Sequence, residues 1–159
     1  MELKTKVYAE DGKHDIVITR EFNLPRELVF RAFTEPELIE QWMGNKVLQF
    51  EAKKHGGWHF QKKDDQGNVV FEADGVIHEL THNRKITRTF EMYNTPFGVQ
   101  LEVSDFEELG EDKSKVTLHT VYETVAQRDE VLKLPFRQGI NWAHNRLEEV
   151  MSKFKQQTR

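Results

Sequence analysis

Cysteine is absent from the 159 residues. Disulfides, thiolate nucleophiles, Cys-x-x-Cys redox centres and cysteine-ligated zinc are excluded with it, and the composition fits a reducing cytoplasm. An excess of basic charge is lacking too. Lys and Arg number 23 against 27 Asp and Glu, for a net charge of −4. Nucleic-acid readers show a basic face or a domain pI above about 9, so nucleic acid is not an expected partner. Apolar runs are short, none exceeding three residues, as in Ile16-Val17-Ile18 and Val69-Val70-Phe71. A membrane span takes about twenty and a signal-peptide core about seven, so neither membrane insertion nor export by that route is expected. Serine occurs only at positions 104, 114 and 152, never in a nucleophile elbow. Gly56-Gly57 is too short to cradle a phosphate and precedes a strand rather than a helix.

What the chain does contain is an aromatic complement of 11%, eleven of it Phe residues, and 31% charged residues of both signs. That is the make-up of one folded domain with an aromatic core. Residues 1–14 are polar and read as a loosely held leader, leaving 15–159 as a single domain. From Asp15 to Asn23, Ile16, Ile18, Arg20 and Phe22 alternate with their neighbours as in a strand. Leu24-Pro25 stops it and opens a helix through Leu28, Val29, Ala32 and Phe33. Thr34-Glu35-Pro36-Glu37 has the form of a capping box for a second short helix, which ends at Gly44.

Period-two alternation then predicts six strands, over 47–54, 57–63, 69–80, 85–93, 98–107 and 115–124. The turns between them are too short for parallel crossovers, so the seven strands form an antiparallel sheet. Helical spacing returns near Ala126 and is broken at Leu134-Pro135. Beyond the proline, Phe136, Ile140, Ala143, Leu147, Val150, Met151 and Phe154 make one apolar stripe on a helix roughly 30 Å long. One helix about 10 Å wide cannot cover seven flat strands spaced about 4.8 Å apart. The sheet must curl around it, and the open end, plugged by the two short helices, leaves room for a cavity.

Arg20-Glu21-Phe22, Pro25, Leu28-Val29-Phe30, Ala32-Phe33-Thr34, Pro36-Glu37-Leu38 and Gln41-Trp42 resemble the opening motif of the heat-shock protein 90 ATPase activator homologue family. That family is a branch of the START-like, or SRPBCC, superfamily, whose helix-grip fold is shared with the birch-pollen allergen. The similarity continues through Gly56-Gly57-Trp58-His59-Phe60, Gly75 to Leu80 and the helix from Gly139 to Val150. It implies an α+β helix-grip fold and an interior cavity for an apolar or amphipathic small molecule. The implied activities range from carriers and sensors to polyketide cyclases or hydratases, and a stress-related chaperone partner is a further implied role. In many relatives Gly-Trp opens the last helix. Here Gly139-Ile140-Asn141-Trp142 displaces the indole by two residues, about 200° around the helix, so no tryptophan role carries over.

The more apolar alternates of the strands are Leu48-Phe50, Trp58-Phe60, Phe71-Ala73-Gly75-Ile77, Ile86-Arg88-Phe90-Met92, Val99-Leu101-Val103 and Val116-Leu118-Thr120-Tyr122. Facing the helix, they give a cavity wall of Trp58, Phe60, Phe90 and Tyr122, with Ile140 and His144 opposite. Ala73 and Gly75 leave space in mid-sheet. Arg88 interrupts an apolar face, and three readings are open for it: an ion pair with Glu79 across the hairpin, escape to the rim, or a grip on a ligand carboxylate. His55/His59 and His78/His82 are spaced four apart, which in a strand is about 13 Å, too far to share one metal ion. No metal, other cofactor or catalytic residue is expected.

Overall fold

A computed structural model describes residues 3–155. The element order is β1 (Lys6–Tyr8), β2 (Asp15–Phe22), α1 (Arg26–Thr34), α2 (Pro36–Met43), β3 (Lys46–Phe50), β4 (Gly57–Lys63), β5 (Val69–Thr81), β6 (Lys85–Met92), β7 (Val99–Gly110), β8 (Lys113–Val121), α3 (Val125–Leu132) and α4 (Phe136–Lys155). All strands join one sheet in the order β1-β2-β8-β7-β6-β5-β4-β3. Every neighbouring pair is antiparallel. The architecture is the α+β helix-grip fold.

Among the described residues the sheet has eight strands rather than seven. The added one is β1, three residues from the polar leader, where Lys6, Val7 and Tyr8 pair with Thr19, Ile18 and Val17. Three residues are too few to show a period, and backbone pairing fixes them instead.

Local chemistry sets the short helices. Pro25 stands at the N-cap of α1, and Pro36 occupies the first turn of α2, where a missing N–H costs nothing. Gly44 ends α2 in the left-handed region at φ 74. The expected capping box does not form. Thr34 is still inside α1, and its hydroxyl donates to the Phe30 carbonyl at 2.9 Å, leaving Glu35 as the N-cap of α2 without a side-chain bond.

The main core joins Phe22 of β2, Ile86 of β6, Phe106 of β7 and Val116 of β8 to α1, α2 and Leu147, Val150 and Met151 of α4. The terminal helix thus shares one core with four strands and packs beside the two short helices. A second cluster, Trp58, Phe60, Ala73 and Ile77 with Ile39, fills the far half of the sheet. Among the described residues no helix is long and apolar enough to cross a membrane.

Two strands present a face other than the apolar one. On β7, Val99 and Leu101 are exposed, and the inward set is Gln100, Glu102, Ser104 and Phe106, opposite Phe90, Arg88, Ile86 and the Arg84 backbone. On β3 a bulge between Val47 and Gln49 lets both Val47 and Phe50 pack inward while Leu48 turns out.

Candidate functional site

Two adjoining chambers open between α4 and the sheet. The inner one, about 210 Å³, is lined by Phe33, Trp42, Ile86, Leu118 and Ala143 together with Arg88, Glu102, Ser104 and His144. The outer one, about 530 Å³ and more open, is walled by Phe71, Met92, Phe97, Gln100, Tyr122 and Phe136. Met43, Phe90 and Ile140 line both. Ligand sites commonly run about 300–1,000 Å³, apolar with a few polar groups, which the outer chamber matches. A further groove of about 470 Å³ lies at the β1 edge, lined chiefly by Lys4, Lys6, Lys113, Lys115 and glutamates, and is separate from these chambers.

Arg88, Phe90, Ile140 and His144 meet at the inner chamber, and Tyr122 joins Phe90 and Ile140 at the outer one. Trp58 and Phe60 do not reach either. Both are buried one layer behind, where Trp58 packs against Phe90 at a 5.3 Å centroid distance and against Phe60 at 4.8 Å.

The space expected at Gly75 is occupied. Trp58 stands directly across from Gly75 in the β4–β5 pairing, and its indole N–H donates to the Thr89 carbonyl at 3.0 Å. A Cβ on Gly75 would lie 1.9 Å from that same carbonyl oxygen. The absent side chain therefore admits the indole and a close neighbouring backbone.

Arg88 sits over this indole, its guanidinium carbon 4.3 Å from the ring centroid, and its Nε donates to Glu102 at 2.9 Å. Glu79 is not its partner. A register shift after Ile77 places Glu79 opposite Thr87, on the other face from Arg88, where it meets Thr87 and Lys85. Glu102 is invisible to the apolar pattern, because the apolar alternate of β7 contains Val99 and Leu101 and puts Glu102 on the opposite side.

His144 is 2% exposed. Its Nδ1 lies 3.0 Å from the Thr5 hydroxyl, and Arg20, buried on β2, donates to the same hydroxyl at 3.1 Å. Arg20 also meets Glu148 of α4 at 3.3 Å, and the Thr5 backbone N–H donates to Asn141 Oδ1 at 3.0 Å. Thr5 is thus a pin between the first strands and the last helix. Nothing in the pattern of the polar leader marks it. Burial, reinforced by Arg20, lowers the His144 pKa to about 3. Among the described residues no three His, Asp or Glu side chains gather to hold a metal ion. His55 and His78 face each other, with ring centroids 5.8 Å apart.

The family model for Activator of Hsp90 ATPase homolog 1-like protein matches residues 23–152. The chain belongs to that family. As a member of it, the protein has the family fold in common with solved structures of low sequence identity. A Rhodobacter sphaeroides protein superposes with a TM-score of 0.84 at 16% identity, covering 94% of this chain and 99% of that one. A Staphylococcus epidermidis protein gives 0.75 at 24% identity, covering 91% and 93%. An HSP90 activator from Plasmodium falciparum gives 0.56 at 20% identity, covering 69% and 73%. No curated protein matches the chain in sequence.

Within this activator-homologue fold, every residue of both chambers lies inside the matched segment. Thr5 and Arg20, which hold His144, lie before it. The displaced Trp142 is 63% exposed and touches neither chamber, as its two-residue offset requires. Tyr122 keeps its phenol protonated well above the ordinary range because it is buried, with Glu102 adding to the effect.

The buried histidine gives the family member a distinctive acid response. The imidazole is neutral in the fold and free to take a proton below about pH 6.5 once unfolded. Its contribution is full above that pH and declines as pH falls toward the folded value of about 3. Urea melts from about pH 6.5 to about pH 4.5 should show stability falling by up to about 1.4 kcal/mol per pH unit from this group. In His144→Gln that component of the slope should vanish. An unchanged slope would mean that His144 is hydrated and titrates normally.

Proposed function

We propose that this protein binds an apolar or amphipathic small molecule in the double chamber beneath α4 and serves as a carrier or sensor, with no committed catalysis. The observation that carries this reading is the outer chamber of about 530 Å³, walled largely by aromatic and aliphatic side chains and sharing Met43, Phe90 and Ile140 with a polar-tipped inner chamber. Apolar burial there contributes about 25 cal/mol per Å², and the inner polar groups orient one end of the ligand.

The residues favour binding over a cyclase or hydratase reaction. A general acid or base works best with a pKa near the operating pH. His144 is held near 3, and Glu102 is engaged by Arg88. Native mass spectrometry of protein purified from its own host, followed by an amide-shift screen of fatty acids, aromatics and flavonoid-like compounds, tests the reading. Ligands should move Arg88, Phe90, Tyr122, Ile140 and His144 together, and the second-layer Trp58 and Phe60 less. A screen that moves none of these resonances would leave the interior as packing alone.

A second reading has a specific support: the family description names an Hsp90 ATPase activator, and a protein of similar fold from Plasmodium falciparum is called one. On this reading the chain is a stress protein that engages a chaperone. Mixing it with the purified chaperone of its host should then raise ATP turnover, and no rise at saturating concentration would retire the idea.

A further inference from the structure

The inner chamber holds four polar side chains, Arg88, Glu102, Ser104 and His144, among apolar walls. Arg88 and Glu102 neutralise each other at 2.9 Å. A ligand carboxylate drawn toward Arg88 would have to displace Glu102 or stand beside it, and two anions in one desolvated space repel.

The Thr5 hydroxyl fixes the chemistry of His144. A guanidinium only donates, so the Thr5 oxygen accepts from Arg20 at 3.1 Å. Thr5 is 2% exposed, and among the described residues His144 Nδ1, at 3.0 Å, is the one remaining acceptor for its hydroxyl proton. Nδ1 therefore accepts, and the neutral ring carries its proton on Nε2. Among the described residues Nε2 has no hydrogen-bond partner. His144 lines the chamber and its Nε2 is not among the fully enclosed side-chain atoms left without a partner, so this N–H is open to the chamber and is a donor that a ligand can satisfy.

We infer that the inner chamber takes uncharged molecules that present a hydrogen-bond acceptor, such as the carbonyl oxygen of a ketone, ester or amide, to Nε2 of His144, and that it rejects carboxylates. The inference rests on the cavity-binding reading and narrows its ligand class. Fatty acids are then the poor members of any screen, and of the three readings open for Arg88 the grip on a ligand carboxylate gives way to an internal ion pair, made with Glu102.

Three probes of nearly one shape separate the possibilities: benzylacetone, its carboxylate counterpart hydrocinnamate, and the hydrocarbon butylbenzene, each titrated into the full chain and followed by amide shifts. Benzylacetone should bind about tenfold more tightly than hydrocinnamate and about fivefold more tightly than butylbenzene, the scale of one hydrogen bond made or one charge left unpaired. Glu102→Gln, which frees Arg88, should improve hydrocinnamate by at least about fivefold. Hydrocinnamate binding as tightly as the ketone in the native chain, or gaining nothing in Glu102→Gln, overturns the inference and leaves the cavity-binding reading intact. Failure of all three probes to shift any wall residue removes both. A long-range proton–nitrogen spectrum of the unmodified chain reads the tautomer without any variant. A proton on Nε2 supports the inference, and one on Nδ1 overturns it.

Discussion

Glu148→Leu should lower stability by about 3–5 kcal/mol, the cost of leaving a buried charge without its counter-ion. Arg20 is 1% exposed, and among the described residues Glu148 supplies the only carboxylate that meets it, at 3.3 Å. Burial already holds the Arg20 pKa below its ordinary value, with Glu148 opposing that shift. Without the carboxylate the guanidinium would keep the Thr5 hydroxyl, the Glu21 carbonyl and the face of the Phe22 ring, none of them an anion. Glu148 also accepts the Asn23 backbone N–H at 2.6 Å, so the chain entering α1 loses an anchor as well. For a domain of this size each kcal/mol moves Tm by about 2–4 °C, so a drop of roughly 6–20 °C is expected in a thermal melt. Adding Arg20→Met should restore part of the loss, because the stranded charge is then gone. A drop below about 2 °C in the single variant would show that water reaches Arg20 and that the pair is a surface one.

Gly75→Ala should be nearly as damaging, for a steric reason. The new methyl group would lie 1.9 Å from the Thr89 oxygen and 2.7 Å from the Trp58 indole nitrogen. The first contact is with backbone of the paired strand, so β5 and β6 must part, and the second displaces the indole. Overpacking of this kind costs about 1–3 kcal/mol, and loss of the indole hydrogen bond about 1 more. Release of Trp58 also removes the surface on which Arg88 lies, and with it the wall behind Phe90. Urea denaturation followed by tryptophan emission should report both a lower midpoint and an altered native spectrum. A midpoint within error of the parent would mean that the two strands separate at little cost.

These two residues also mark where the sequence could and could not be read. The strand over 57–63 has the same bounds in the structure, and the break at Leu134-Pro135 separates α3 from α4, because alternation and proline act locally. Gly75 was visible as missing volume, but only the β4–β5 register shows that Trp58 fills it. The β7 face inverted for a related reason. Apolar alternation points inward when the interior is filled with hydrocarbon, whereas β7 lines chambers that hold Gln100, Glu102 and Ser104. Its Val99 and Leu101 were thereby left outside. Arg20 stood in plain view in the set Ile16-Ile18-Arg20-Phe22, yet its partners Thr5 and Glu148 lie 15 and 128 residues away, beyond any local period.

A three-residue edge strand would ordinarily exchange its amide hydrogens with solvent almost as freely as an open chain. Here Arg128, 1% exposed, donates to the Glu10 carbonyl at 2.6 Å and the Asp15 carbonyl at 3.3 Å. Arg137 donates to the Val7 carbonyl at 3.2 Å, and Thr5 is held by Asn141 and Arg20. Opening residues 5–10 therefore uncovers two guanidinium groups inside the core along with the strand itself. The Thr5 amide should accordingly be protected about as long as those in the middle of α4, placing the start of the described chain in the last part of the molecule to open.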